Sequence, residues 1–242
     1  MSSLIRINKL LAFLGIASRR KADDLIREGS ISINGKVLEK LGAMVDIERD
    51  RLSVDGKDIS IKIDTKKSYY LLYKPKDCVT TVSDTHGRKT VMDLVPNDPG
   101  LFPIGRLDQD TTGVLIITND GDLAHRLMHP RYEIDKIYEV TLKSKIKRDD
   151  ILRLNRGVDI GDDRPSICEV IDTKKQKEAT KLTIRLHEGR KRQIRRTFTK
   201  LGYDIEILER VSYCGMEADI KYGTYRELTK SEVSHLKKKV GL

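Results

Sequence analysis

Long apolar runs are missing from this chain. No stretch approaches the roughly 20 residues that a bilayer-spanning helix needs. The N-terminal segment MSSLIRINKLLAFLG is interrupted by Arg6 and Lys9 and lacks a clean apolar core before a small-residue cleavage site, which argues against a secretory signal. Cysteine is scarce as well: Cys78, Cys168 and Cys214 are far apart and odd in number. No metal-ligand spacing appears among them, so reduced thiols in a cytoplasmic protein are the expectation. Among five histidines, His125 and His129 form one helical i, i+4 pair, but no glutamate follows the first as a zinc protease requires. A lipidation signal and a large apolar helix face are also lacking, which removes the membrane-surface reading of a basic chain. These absences argue against a zinc site and against a membrane.

Positive charge is what the chain has in surplus. Lysine and arginine total 47 against 37 acids, a net charge of +10 over 242 residues. A surplus of this size favours a polyanionic partner, most simply nucleic acid. The length suits a small domain followed by a larger one.

Residues 1–60 read as a self-contained unit. RINKLLAFLG places Ile7, Leu10, Leu11 and Leu14 at helical spacing, and Gly15 stops the helix. Ser18 is the expected N-cap of a second helix, RRKADDLIREG, with Ala22, Leu25 and Ile26 inward and Gly29 past its end. SISINGKVLEK and DRLSVDGKDI then alternate around the turn signals Asn34-Gly35 and Asp55-Gly56. Arg19, Arg20 and Lys21 sit in the first helical turn, where the dipole disfavours cations. Two readings stand, a solvated cluster or a phosphate cradle built from amides and side chains. The order of helix, SRRKAD, helix and ING turn resembles the small RNA-binding module named after a small-subunit ribosomal protein, the S4-like domain. That resemblance covers about residues 4–50 and makes Arg6, Ser18, Arg19, Arg20 and Lys21 RNA-contact candidates.

The polar stretch IKIDTKKS predicts a linker over 61–68, leaving 69–242 as the larger domain. There the spacing predicts a strand through YYLLYK broken at Pro75, and a buried strand VLIIT at 114–118. It predicts a helix capped by Asn119 or Asp120 and closed by Pro130, and half-buried strands KIYEVTL and KLTIRLHEG. A last helix carries Ile194, Phe198 and Leu201 on one face. Without a repeating βαβ pattern this is α+β, with a mixed or antiparallel sheet. The C-terminal stretch reads as a short helix with a basic end.

The most informative stretch is LFPIGRLDQDTTGVLIITNDGDLA, residues 101–124. Counted from Asp108 it begins like a calcium loop, but position twelve is Asn119 where a bidentate glutamate is needed. DQDTT matches an aspartyl-phosphatase pattern that depends on Mg²⁺, yet there the buried strand precedes the motif and here it follows. A plain turn, with Asp108 capping Thr111 or Thr112, is locally reasonable. It leaves GRLD unexplained.

GRLDQDTTGVLIITNDGDLAHRLMHP resembles the signature of bacterial ribosomal RNA pseudouridine synthases carrying an N-terminal S4-like module. YYLLYKPKDCVTT, HGRKTVMDLVP, DKIYEVTL and LHEGRKRQIRRTF fit in the same order, so the resemblance spans nearly the whole chain. One departure is visible. Asp77 stands where the family commonly has glycine after Lys-Pro-x, leaving the turn after Lys74-Pro75 open to another course.

The resemblance implies an α+β protein, an S4-like domain followed by a mixed/antiparallel-sheet pseudouridine synthase domain. It implies conversion of one ribosomal uridine, most simply in the 23S RNA of the large subunit, by a monomer acting on ribosomal RNA or a pre-ribosomal particle. The reaction moves the base from nitrogen to carbon attachment with no group gained, so no cofactor is implied. Asp108 is implied as the working carboxylate, whether it attacks sugar or base or removes a ribose proton. A pocket drives a carboxylate toward its neutral form, and an opposing cation restores the charge. Arg195 is the implied partner, with Arg190 and Arg192 as substitutes and phosphate binding as the rival role for the cluster. Ile194 is implied to pack near the base and Tyr138 to stack on it. Arg106 is placed to enter the gap left by the extruded nucleotide, and Lys74 to contact a loop or a phosphate. The competing classes are a non-catalytic RNA-binding factor and a Mg²⁺-dependent phosphatase.

Overall fold

Asn34 and Gly35 (φ 53° and 77°) and Asp55 and Gly56 (φ 49° and 73°) make two tight left-handed turns, the geometry that two-residue hairpins need. They sit in a computed structural model that describes residues 4–61, 66–175 and 179–242. Contacts divide the chain into two compact units, Met1–Ser68 with Asn97–Leu101, and Tyr69–Pro96 with Phe102–Leu242. Of the expected linker, residues 62–65 lie outside the described residues.

In the first unit, β1 (Leu4–Arg6) pairs with β4 (Met44–Asp46). The helices are α1 (Ile7–Phe13) and α2 (Arg19–Arg27), the second capped by Ser18, whose side chain accepts from the Lys21 amide at 3.2 Å. β2 (Ile31–Ile33), β3 (Lys36–Val37), β5 (Leu52–Val54) and β6 (Lys57–Ile59) form a sheet in the order β3-β2-β5-β6. Ile7, Leu10, Leu11, Ala22, Ile26 and Ile31 are its core. The helical spacing read from the sequence corresponds to this buried face.

The second unit is built on one mixed sheet. Its strands are β7 (Tyr69–Lys74), β8 (Phe102–Pro103), β9 (Thr112–Thr118), β10 (Lys136–Leu142), β11 (Glu169–Lys175), β12 (Thr180–Leu186), β13 (Ile205–Tyr213), β14 (Met216–Glu217) and β15 (Tyr225–Glu227). The main path runs β11-β12-β10-β13-β9-β7-β15. β13 and β9 run parallel and the other named pairings are antiparallel. β9 is buried at all seven positions, whereas β12 alternates strictly and β10 does so from Tyr138 onward. This is the difference expected between a central strand covered on both faces and strands covered on one.

Helices α3 (Gly121–Met128) and α6 (Lys230–Lys239) bury Leu123, Leu127 and Leu236 against Ile116. Helices α4 (Arg148–Arg156) and α5 (Gln193–Lys200) bury Leu154 and Phe198 against Val140 and Ile184. Each of these large side chains contributes about 1.5–3 kcal/mol by leaving water. Of the two candidate caps for α3, Asp120 is the one used, accepting from the Leu123 amide at 3.3 Å. Asp77 has φ 58°, a left-handed conformation that aspartate tolerates better than most residues. The turn after Lys74-Pro75 therefore keeps a left-handed residue although the glycine is gone.

Candidate active site

Asp108 opens a tight turn at the end of GRLD. The Thr111 amide donates to the Asp108 carbonyl at 3.0 Å, after which Thr111, Thr112 and Gly113 are buried and β9 begins. The backbone closes this turn, and the Asp108 carboxylate lines a cleft of about 710 Å³ in the second unit, with 38% of its side chain exposed.

The segment after β7 holds the loop in place. The Lys74 ammonium donates to the carbonyls of Pro75 (2.9 Å), Thr111 (2.8 Å) and Gln109 (3.4 Å). The Asp77 amide donates to the Gln109 carbonyl at 3.0 Å, and the Thr80 hydroxyl to that of Leu107 at 2.8 Å. Lys74 is fully buried, and desolvation pushes its ammonium down to about 8. The expected phosphate contact is thereby corrected. No RNA phosphate reaches a lysine sealed beneath the loop and already bonded to three carbonyls, so only the loop-contact half of that expectation stands.

The basic helix start divides its arginines in a way that spacing did not predict. Arg195 donates to the Asp110 carbonyl at 3.1 Å and lies 3.2 Å from the Asp110 carboxylate. Arg192 lies 3.8 Å from Asp108 and 3.6 Å from Asp110. The close partner of Arg195 in this structure is thus Asp110 rather than Asp108, although Asp108 is among the charges acting on it. Arg192 is the N-cap of α5 and adopts the left-handed φ 47°, ψ 34°. Arg190 is held elsewhere, by Asp162 (3.0 Å), Glu188 (2.8 Å) and the carbonyls of Arg164 and Pro165. Its guanidinium braces the start of α5 while also lining the cleft, which corrects its place as a substitute partner of Asp108.

Tyr138, 9% exposed, and Ile194, 6% exposed, both line the cleft, as does the exposed Arg106. The structure thus brings Asp108, Tyr138, Arg192, Arg195, Ile194 and Arg106 around one cavity. Among the lining residues that sequence reasoning missed are Lys136 and Arg210. Arg210 did leave a signal: it shares the inward parity of Leu208 and Ser212 along β13, where an arginine is unexpected. In the first unit Arg6, Ser18, Arg19, Arg20 and Lys21 are exposed, and Lys21 meets Glu28 at 3.6 Å. Among the described residues no group of three or more His, Cys, Asp or Glu could hold a metal ion. No helix among them is long and apolar enough to cross a membrane.

Residues 68–200 match the family model for RNA pseudouridylate synthase, and residues 5–52 match the S4 domain. The ribosomal large subunit pseudouridine synthase B of Bacillus subtilis is 39% identical over 237 residues, covering 96% of this chain and 95% of its own length. The chain belongs to the RNA pseudouridylate synthase family. The synthase is also 37% identical to an RNA pseudouridine synthase of Aquifex aeolicus over 98% of this chain and 96% of that protein. A crystal structure of a pseudouridylate synthase superimposes with a TM-score of 0.67 at 28% identity, covering 96% of this chain and 99% of the other. The synthase is therefore an isomerase, with an S4 domain followed by a pseudouridine synthase domain on a mixed sheet. The large cleft beside GRLD lies wholly in the second of these.

Proposed function

We propose that this synthase converts a uridine of ribosomal RNA, in the large subunit, with Asp108 as its working carboxylate. The observation that carries the reading is the position of Asp108 on a tightly braced turn, half exposed to a cleft that Tyr138 and Ile194 also line. The name of the Bacillus subtilis relative supports the large-subunit assignment. Tyr138 stacks on the uracil, Ile194 packs beside it, and Arg192 and Arg195 pair with the acids of the turn. A uridine inside a helix has to be extruded to reach this site, at a cost of a few kcal/mol. Arg106 fills the place it leaves.

Residues 1–60 form the S4-like RNA-binding domain in this reading, 61–68 the linker and 69–242 the catalytic domain. Arg6, Ser18, Arg19, Arg20 and Lys21 grip the phosphate backbone. The enzyme acts as a cytoplasmic monomer on ribosomal RNA or a pre-ribosomal particle.

Asp108→Asn keeps the size and the turn while removing the charge. Pseudouridine formation on transcripts of both ribosomal RNAs is expected to fall by about 10²–10⁴-fold or more, with RNA affinity retained. Conversion that survives the substitution rules Asp108 out. Pseudouridine mapping in cells with and without the gene identifies which subunit's RNA is modified.

A further inference from the structure

One wall of the cleft carries two cations that the roles assigned above leave unused. Arg210 is 2% exposed and lines the cleft. Its Nε donates to the Val114 carbonyl at 2.7 Å, and its guanidinium lies over the Tyr213 ring at 4.7 Å. Nη2 has no hydrogen-bond partner, and no carboxylate pairs with the guanidinium among the described residues. Lys136, half buried, approaches the same ring at 5.8 Å and gives its ammonium only to the carbonyls of Ile134 (3.1 Å) and His187 (3.2 Å). Burial, with Arg210 as the next cause, pushes Lys136 down to about 8.

A buried guanidinium without a counter-charge is costly unless a ligand completes it. Its location indicates which ligand. Arg210 is the register partner of Tyr138 on β10 and of Gly113 on β9. Directly opposed residues share a face of the sheet and stand side by side. Arg210 therefore lies beside the tyrosine proposed to stack on the base.

The reaction creates an anion at that place. When the glycosidic bond breaks, its electron pair remains on the ring nitrogen, and the negative charge spreads onto the uracil oxygens. The ring then turns, and carbon 5 supplies the pair for the new bond to the ribose. Carbon 5 loses its proton and the ring nitrogen gains one, so charge and atoms balance without another reactant. This holds whether Asp108 bonds to the sugar or removes a ribose proton.

We propose that Arg210, with Lys136 over the same tyrosine ring, stabilises the detached uracil anion by holding its buried, uncompensated guanidinium charge at the cleft wall beside the uracil oxygens. The inference rests on the site reading above. Donors fixed before the reaction favour the charge that develops during it over the neutral ground state. The rival occupant is an RNA phosphate, which would be equally charged before and after bond cleavage.

The test compares single-turnover rates of the unaltered enzyme, Arg210→Gln and Arg210→Lys. The substrates are transcripts of both ribosomal RNAs, made with uridine or with 6-azauridine, whose base carries negative charge more readily and keeps its hydrogen on carbon 5. Arg210→Gln is expected to lower kcat on uridine by about 100-fold or more with KM little changed. It should lose about ten times less on 6-azauridine, with Arg210→Lys in between. Equal losses on the two substrates, or a loss confined to KM as a phosphate interaction would give, overturn the proposal.

Should neither variant fold, the unaltered enzyme supplies the same answer. 5-Nitrouracil, anionic at neutral pH, is expected to inhibit it about tenfold more tightly than neutral uracil, and equal inhibition overturns the proposal. The unaltered enzyme also separates the two failures. If it converts no uridine in either transcript, the site reading has failed; if it does and Arg210 is indifferent, only this inference has.

Discussion

Gly113 and Arg210 face each other across the parallel β9–β13 pairing so closely that a Cβ on Gly113 would lie 2.2 Å from the Arg210 carbonyl oxygen. Gly113 also has φ 114°, which side-chain-bearing residues rarely adopt. Gly113→Ala is therefore expected to cost about 3 kcal/mol or more, through strain and the forced separation of two central strands. Urea unfolding measures it, and a loss within about 0.5 kcal/mol would show that the strands have room to part.

Lys74 links the two acids of the turn to β7 without touching either carboxylate. Lys74→Met should cut turnover by about 100-fold through a displaced Asp108, with RNA affinity kept. It should also change the pH profile of stability. The folded value near 8 lies below the unfolded one of about 10.4. The stabilisation from this group is therefore full above pH 10.4 and is lost as pH falls through 8, so stability rises with pH between the two. Buried Cys168 and Cys214, both raised to about 11, oppose that rise. The readout is therefore a difference: from pH 7 to 10.5 Lys74→Met should lose stability relative to the unaltered protein. A difference that stays constant would mean that Lys74 keeps its proton in the fold.

Helix α6 has an acid-labile start. Glu232 accepts from the Thr229 amide at 2.7 Å and from Arg226 at 2.6 Å, and Arg226 is the main cause holding its carboxyl down at about 2. A depressed carboxyl stabilises the fold fully above its unfolded value near 4.3 and loses that contribution as pH falls to 2. Glu232→Gln should lose about 1–2 kcal/mol at pH 7 and nothing by pH 2, as read from unfolding midpoints. A pH-independent difference would place the effect in packing.

Arg19, Arg20 and Lys21 are exposed at the first turn of α2. Replacing all three with glutamine should flatten the plot of log affinity against log salt by about 2, since each phosphate no longer neutralised takes about 0.7–0.9 from the slope. Saturating turnover should be unchanged. An unaltered slope would return these cations to the solvated surface.

Short-range signals were legible where the backbone itself demanded a residue type. Ser18, Asn34-Gly35, Asp55-Gly56 and Asp120 mark the caps and turns that the chain uses. The buried strand after Asp108 was legible from its unbroken apolar run. What could not be read was the direction of side chains on either side of a turn. Arg195, expected beside Asp108, meets Asp110 instead, while Arg192 stands near both acids. Lys74 looked like a surface residue beside Pro75, since nothing local shows that residues 109–111 will fold over it. Arg210 was overlooked because a strand arginine is ordinarily surface charge, and only pairing with β9 and β10 turns it inward.

The parallel β9–β13 pairing also sets a clock. Parallel neighbours close only after a long intervening chain has been made. At about 5–20 residues per second, the roughly one hundred residues between Gly113 and Arg210 need about 5–20 s to be synthesised. Through that interval a nascent chain carries Asp108 on a sheet still lacking its central neighbour. An enzyme that modifies ribosomal RNA is thus translated past its acidic turn well before the cleft beside it can close.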